Sequence, residues 1–124
     1  MIAADTSSLS AFFKGENGPD VELVEMALSG RNFCLPPVVV TEMLSDPLAQ
    51  RAMMDTVAGF PLLAILDGYW ERAGETRRLL RQKGFKAKVA DALIAQACID
   101  HDVDLITRDN DFRHFAKHCG LKLA

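Results

Sequence analysis

The sequence predicts an α/β domain built around a central, mostly parallel sheet. Short apolar runs recur along the chain, and amphipathic helical patterns fill the intervals between them. Parallel neighbours need crossover connections, so strands that alternate with helices imply a parallel sheet covered on both faces. At 124 residues the chain fits one domain, 1–124, large enough to bury most of the apolar surface exposed on unfolding.

Met1–Ala4 is the first apolar run. It ends at Asp5-Thr6-Ser7-Ser8, rich in helix N-cap residues, so a strand feeding a helix is expected. Gly15–Asp20 is a turn, and Val21, Val24 and Leu28 continue as an amphipathic helix that stops at Gly30. A second strand is expected at Asn32–Leu35. Proline is tolerated in a first helical turn, so Pro36-Pro37 opens a helix over Val38–Leu44. Asp46-Pro47 opens another through about Val57, Gly59-Phe60-Pro61 turns, and Leu62–Leu66 is a third strand. Asp67 caps a long helix to about Lys83, with Tyr69, Trp70, Ala73 and Leu80 as its buried stripe and Gly84 at its end. Ala90, Leu93, Ile94, Ala97 and Cys98 recur at i, i+3, i+4, i+7 and i+8, the clearest helical pattern in the chain. Asp104–Thr107 is a fourth strand, Asn110–Lys117 a short helix and Leu121–Leu123 a closing strand. There is no internal repeat or low-complexity tract.

The composition, 49% hydrophobic and 25% charged, excludes a disordered chain. No apolar run approaches the roughly 18 residues a spanning helix needs. The start M-I-A-A-D lacks the basic and apolar parts of a secretory signal, so a cytoplasmic location is expected. The three cysteines, Cys34, Cys98 and Cys119, are odd in number and lie in or beside apolar stretches, as reduced core thiols do. Net charge is −3, yet seven of the 14 Lys and Arg fall between Arg72 and Lys88. Such a strip either steers a polyanion or is a solvated helix face.

In an open parallel sheet, ligands bind beyond the carboxyl ends of the strands. Asp5 ends the first strand and Asp109 follows the fourth; either alone is more commonly a helix cap than a catalyst. Glu42 projects over the face of Val38 and Val39, and Asp91 borders the strongest apolar stripe. A carboxylate placed as Asp91 is needs a partner, and only Lys86 and Lys88 are near it in sequence. A metal ion would suffice. Mg²⁺ and Mn²⁺ prefer hard oxygen ligands and act on phosphodiesters. Thr6, Ser7 and Thr107 flank the acids and either orient them or cap helices.

Other constellations have simpler explanations. His114 and His118 lie one helical turn apart beside Cys119, but a structural zinc site wants a fourth ligand and none stands out. Asp100, Asp102 and Asp104 alternate as in a calcium loop, without its glycine and later glutamate, and fit a solvated loop. Trp70 and the phenylalanines fall mostly on apolar stripes and count as core. A phosphatase with Asp5 as nucleophile would want a second Asp where Ser7 stands.

Four blocks, M-I-A-A-D-T-S, P-P-V-V-V-T-E-M-L, G-F-K-A-K-V-A-D-A-L-I-A-Q-A and D-L-I-T-R-D-N-D-F, in this order resemble the PIN domain, particularly the VapC ribonuclease toxins of type II toxin-antitoxin pairs. The resemblance runs from Asp5 to Leu123. It implies a three-layer α/β/α sandwich and a divalent-metal site of Asp5, Glu42, Asp91 and Asp109. Thr107 matches the family's threonine, and Asp111 either joins the site or caps the last helix. It also implies Mg²⁺- or Mn²⁺-dependent RNA cleavage, dimerisation and neutralisation by a small antitoxin. The basic rim such an enzyme needs falls to Arg81, Lys86, Lys88 and Arg108. A non-catalytic PIN-fold protein that binds an antitoxin or RNA is the alternative, and the presence of all four acids argues against it.

Overall fold

The computed structural model describes residues 1–124. Its sheet has three parallel strands, β1 (Ile2–Ala4), β2 (Phe33–Cys34) and β3 (Asp104–Ile106), in the order β2-β1-β3. Ala3 sits between Cys34 on one side and Leu105 on the other. Single parallel bridges extend both edges, Leu35 with Leu62 and Leu105 with Leu123. These bridges are all that forms of the strands expected at Leu62–Leu66 and Leu121–Leu123. Leu62, Ile65 and Leu66 are exposed, and only Leu63 is buried. Without cover, that apolar run gains little from extending the ladder.

Seven helices complete the fold: α1 (Thr6–Phe13), α2 (Pro19–Ser29), α3 (Pro37–Leu44), α4 (Arg51–Ala58), α5 (Tyr69–Gln82), α6 (Val89–His101) and α7 (Phe112–Cys119). The helix α2 packs on β2 and β3, α6 packs on β3, and α5 lies over α6. This is the expected three-layer arrangement. The element α4 begins at Arg51 and not at Asp46, because the Asp46 side chain accepts a hydrogen bond from the Leu48 amide at 2.9 Å and closes a separate turn. Similarly, Asp67 does not cap α5. Gly68 precedes the helix at φ 80, a left-handed conformation that favours glycine, and a Cβ there would also displace the tip of Arg72, 2.6 Å away.

The amphipathic pattern of α6 understates its burial. Ala92, Ile94, Ala95, Gln96, Ala97 and Cys98 are all buried, since the helix is enclosed by β3 on one side and α5 on the other. Tyr69, Ala73 and Leu80 supply the facing stripe of α5, and the Tyr69 hydroxyl donates to the Leu93 carbonyl at 2.6 Å. Trp70, expected in that stripe, is 61% exposed. One step along a helix rotates a side chain by about 100°, so with Tyr69 inward its neighbour faces out. Buried Gln96 accepts from Thr76 Oγ1 and donates to Asp100, which also receives both Nε and Nη2 of Arg72 at 2.9 and 2.6 Å.

Asp100 therefore belongs to α6 and to an ion pair, and not to a solvated loop. Asp102 ends the helix in a left-handed conformation and pairs with Lys122 at 2.6 Å. Phe112 and Phe115, each 1% exposed, anchor α7 in the core, worth about 1.5–3 kcal/mol apiece. Its other side carries His114 and His118, both stacked on Phe85. The three cysteines are free thiols. No helix is long and apolar enough to cross a membrane.

Candidate active site

The central strand β1 has β2 on one side and β3 on the other, so the chain reverses its winding direction there, and a crevice opens beyond the carboxyl ends of the strands. Asp5 follows β1 and Thr107 follows β3, with the Asp5 amide donating to the Ile106 carbonyl at 3.0 Å. Asp5 is 3% exposed. Its Oδ1 accepts from the Ser8 amide at 3.0 Å and caps α1, while Oδ2 accepts from Thr107 Oγ1 at 2.6 Å. Ser7 Oγ lies 2.8 and 2.9 Å from the two oxygens and has one proton for either. At most three protein donors thus act at once on about four lone-pair sites, leaving one free. Capping and site-building are both served by this one carboxylate. Thr107 Oγ1 also accepts from the Asp109 amide at 3.0 Å, and Asp109 Oδ1 accepts from the Asp111 amide at 2.9 Å. The turn after β3 is thereby tied to Asp5.

Asp91, in the first turn of α6, meets Asp109 and Asp111 so closely that one oxygen from each lies within 4.8 Å of the others. Asp111 stands at the N-cap position of α7 yet makes no capping hydrogen bond; its side chain joins the cluster instead. Glu42 on α3 accepts from Thr6 Oγ1 at 2.7 Å, beside Asp5. The electrostatics join these groups. Partial burial and then the charge of Asp109 push the Asp91 carboxyl up to about 6, with Glu42 and Asp111 adding to the rise and Lys88 opposing it. Burial also raises Asp5, against the hydrogen bonds from Thr107, Ser8 and Ser7, and Asp109 raises it further. Asp91, Asp109 and Asp111 are the acids brought within ligand distance of one another; Asp5 is linked to them through the charge of Asp109 and Glu42 through that of Asp91, and Lys88 relieves Asp91.

The PIN domain pattern matches residues 2–118. This chain belongs to the PIN domain family. Its fold is similar to that of VapBC2 from Rickettsia felis, solved bound to a DNA fragment from their promoter, with a TM-score of 0.73 and 23% identity over 100% of this chain and 98% of that one. It is also similar to VapBC-5 from Mycobacterium tuberculosis, of the VapBC family of toxin-antitoxin systems, with a TM-score of 0.72 and 20% identity over 98% and 95%. No curated protein matches the sequence significantly.

As a PIN domain, the chain presents an all-oxygen donor set, which suits a hard divalent cation and not a soft one. The zinc alternative has no comparable grouping, because Asp91, Asp109 and Asp111 form the one trio of donors at such distances. The basic residues are more scattered than the acids. Arg81 lines a concavity of about 380 Å³ on α5 with Arg77 and Arg78. Arg77 Nε donates to the Ala87 carbonyl at 2.7 Å, bracing the connection that carries exposed Lys86 and Lys88. The Arg108 guanidinium is occupied by Asp20, Glu16 and the Asn17 carbonyl. These partners went unmarked in the sequence, where only the Gly15–Asp20 turn signalled a specific local shape. A groove of about 600 Å³ beside Glu42 runs between α1, α3 and α4, lined in part by Phe13, Lys14, Met43, Leu48 and Met53.

Proposed function

We propose that this PIN domain is a metal-dependent endoribonuclease, the toxin of a type II toxin-antitoxin pair. The observation that carries the proposal is the meeting of Asp91, Asp109 and Asp111, with Asp5 and Glu42 linked to them electrostatically, beyond the carboxyl ends of a parallel sheet. Asp91, Asp109 and Asp111 would hold Mg²⁺ or Mn²⁺, with Asp5 and Glu42 completing the site from the other wall. Such an ion, when bound, supplies positive charge to the scissile phosphate and acidifies the attacking water. Around it, Thr107 and Ser7 hold Asp5 in one orientation, and Thr6 does the same for Glu42. Lys86, Lys88 and Arg81 are proposed to hold the RNA backbone.

The groove beside Glu42 supports docking of a small antitoxin that covers the acids. Exposed Leu62, Ile65, Leu66 and Trp70 support a homodimer, since apolar surface of this kind favours association. The test is cleavage of structured RNA by purified protein in Mg²⁺ or Mn²⁺, with Asp109→Asn as control. Cleavage that the variant lacks, with the variant still folded, is the expected result. Intact transfer, ribosomal and messenger RNA in both metals would refute the nuclease assignment and favour a binding role.

A further inference from the structure

Arg108 stands between Thr107 and Asp109, but its side chain leaves the acidic cluster and grips the connection between α1 and α2. Nε donates to Asp20 Oδ2 at 2.8 Å and Nη2 to Asp20 Oδ1 at 3.1 Å, a two-pronged fit to one carboxylate. Nη1 donates to Glu16 Oε1 at 3.1 Å, and Nη2 also to the Asn17 carbonyl at 3.3 Å. Four of the five guanidinium N–H groups are thus directed at protein acceptors. A side chain committed in this way has little left to offer a phosphate.

The partner is itself built in. Asp20 Oδ2 accepts from Ser8 Oγ at 2.8 Å, and Ser8 is fully buried. Because the Ser8 amide caps on Asp5 and Thr107 Oγ1 donates to Asp5, the contacts close a ring. It runs from Asp5 through Ser8, Asp20 and Arg108 and back along the main chain to Thr107. Gly18 makes room for it: at φ +150, a Cβ there would sit 2.6 Å from Asp20 Oδ1 and 3.2 Å from Arg108 Nη2. Only glycine combines that conformation with so close an approach. The Arg108 hydrogen bond holds the Asp20 carboxyl down to about 2, so the pair stays ionised at neutral pH.

We propose that Arg108, locked onto Asp20 over Gly18, is a positioning residue that sets the Thr107–Asp111 turn and thereby the placement of the Asp109 and Asp111 carboxylates, and is not an RNA contact. The catalytic consequence rests on the nuclease assignment above; the ordering of the turn does not. Arg108→Lys separates the two roles, since it keeps the charge but loses the planar fork. Gly18→Ala perturbs the lock without touching any charge and serves as the milder variant if Arg108→Lys folds poorly.

Three measurements decide. In metal-free protein both variants should show faster hydrogen exchange at the Asp109 and Asp111 amides, with α6 and β1 unchanged. Calorimetric titration should show Mn²⁺ affinity reduced about 10-fold or more. Cleavage should lose kcat while KM and the salt dependence of RNA binding stay put. The opposite pattern overturns the proposal: wild-type exchange and Mn²⁺ affinity in Arg108→Lys, with Arg108→Ala weakening RNA binding and reducing its salt slope by about 0.7. If the unaltered protein neither binds Mn²⁺ nor cleaves RNA, the nuclease assignment falls, and the exchange data still decide whether Arg108 orders the turn.

Discussion

Replacing Asp91 by asparagine removes one negative charge from the acidic cluster while nearly keeping the side chain's shape. Its carboxyl is raised from 3.8 to about 6, by burial first and then by Asp109, Glu42 and Asp111, and no hydrogen bond contributes. At about 1.4 kcal/mol per pH unit, that rise corresponds to about 3 kcal/mol of strain carried by the charged form in metal-free protein. Asp91 is only half-buried, and solvent screening trims the figure to about 1–2 kcal/mol.

The sign follows from proton linkage. Below the ordinary carboxylate range, folded and unfolded chains both hold the proton and there is no penalty. Between about 4 and 6 the unfolded chain releases it while the folded one retains it, so wild-type stability falls as pH rises. Above about 6 the whole penalty is present. In chelator at pH 7.5, Asp91→Asn should therefore be the more stable protein, by about 4–8 °C in Tm for a chain of this length. At about pH 3, below the ordinary carboxylate range, the two should melt together. Thermal melts at both pH values, with and without Mn²⁺, measure this. A variant that melts lower than wild type at pH 7.5 in chelator would refute the convergence of charges and mark Asp91 as an ordinary structural carboxylate.

Three further outcomes are expected. Mn²⁺ at about 100 times its Kd should stabilise the folded protein by about 2.7 kcal/mol, visible as a raised Tm that Asp109→Asn abolishes; an equal rise in that variant would place the ion elsewhere. Thr107→Val removes the hydroxyl shared by Asp5 and the Asp109 amide, with an expected cost of about 1–3 kcal/mol in urea unfolding and a loss of RNA cleavage. Arg72→Ala strands the Asp100 carboxylate, whose side chain is 6% exposed, while Arg72 itself is 39% exposed; a loss of stability smaller than that of a fully buried pair is expected. Arg72 holds the Asp100 carboxyl below its ordinary value, so the deficit should be largest at neutral pH and shrink as acid protonates Asp100, which urea melts at pH 7 and pH 3 would show.

What the chain determined by itself is the helices with a clear local period and the cap at Asp5; the caps expected at Asp46 and Asp67 do not form. The spacing of Ala90, Leu93, Ile94, Ala97 and Cys98 marks α6, and Asp5 at the end of an apolar run marks a strand giving way to a helix, because both depend on backbone hydrogen bonds a few residues long. The acids themselves were legible as charges on apolar faces that needed partners, and the four blocks around them carried the family. Their meeting was not legible, because Glu42 comes to Thr6, and Asp91 to Asp109 and Asp111, only through the packing of α3 and α6 around the sheet. The same holds for Asp111, which stands at a cap position and points to the cluster, and for Trp70, turned outward by the phase of α5. Arg108 looked like a basic residue free for RNA; its partners are 88 to 92 residues away in the chain. A side chain's partner is whatever distant backbone lies across from it. Tertiary packing alone sets that, and so it decided which acids meet and which arginine grips the connection between α1 and α2.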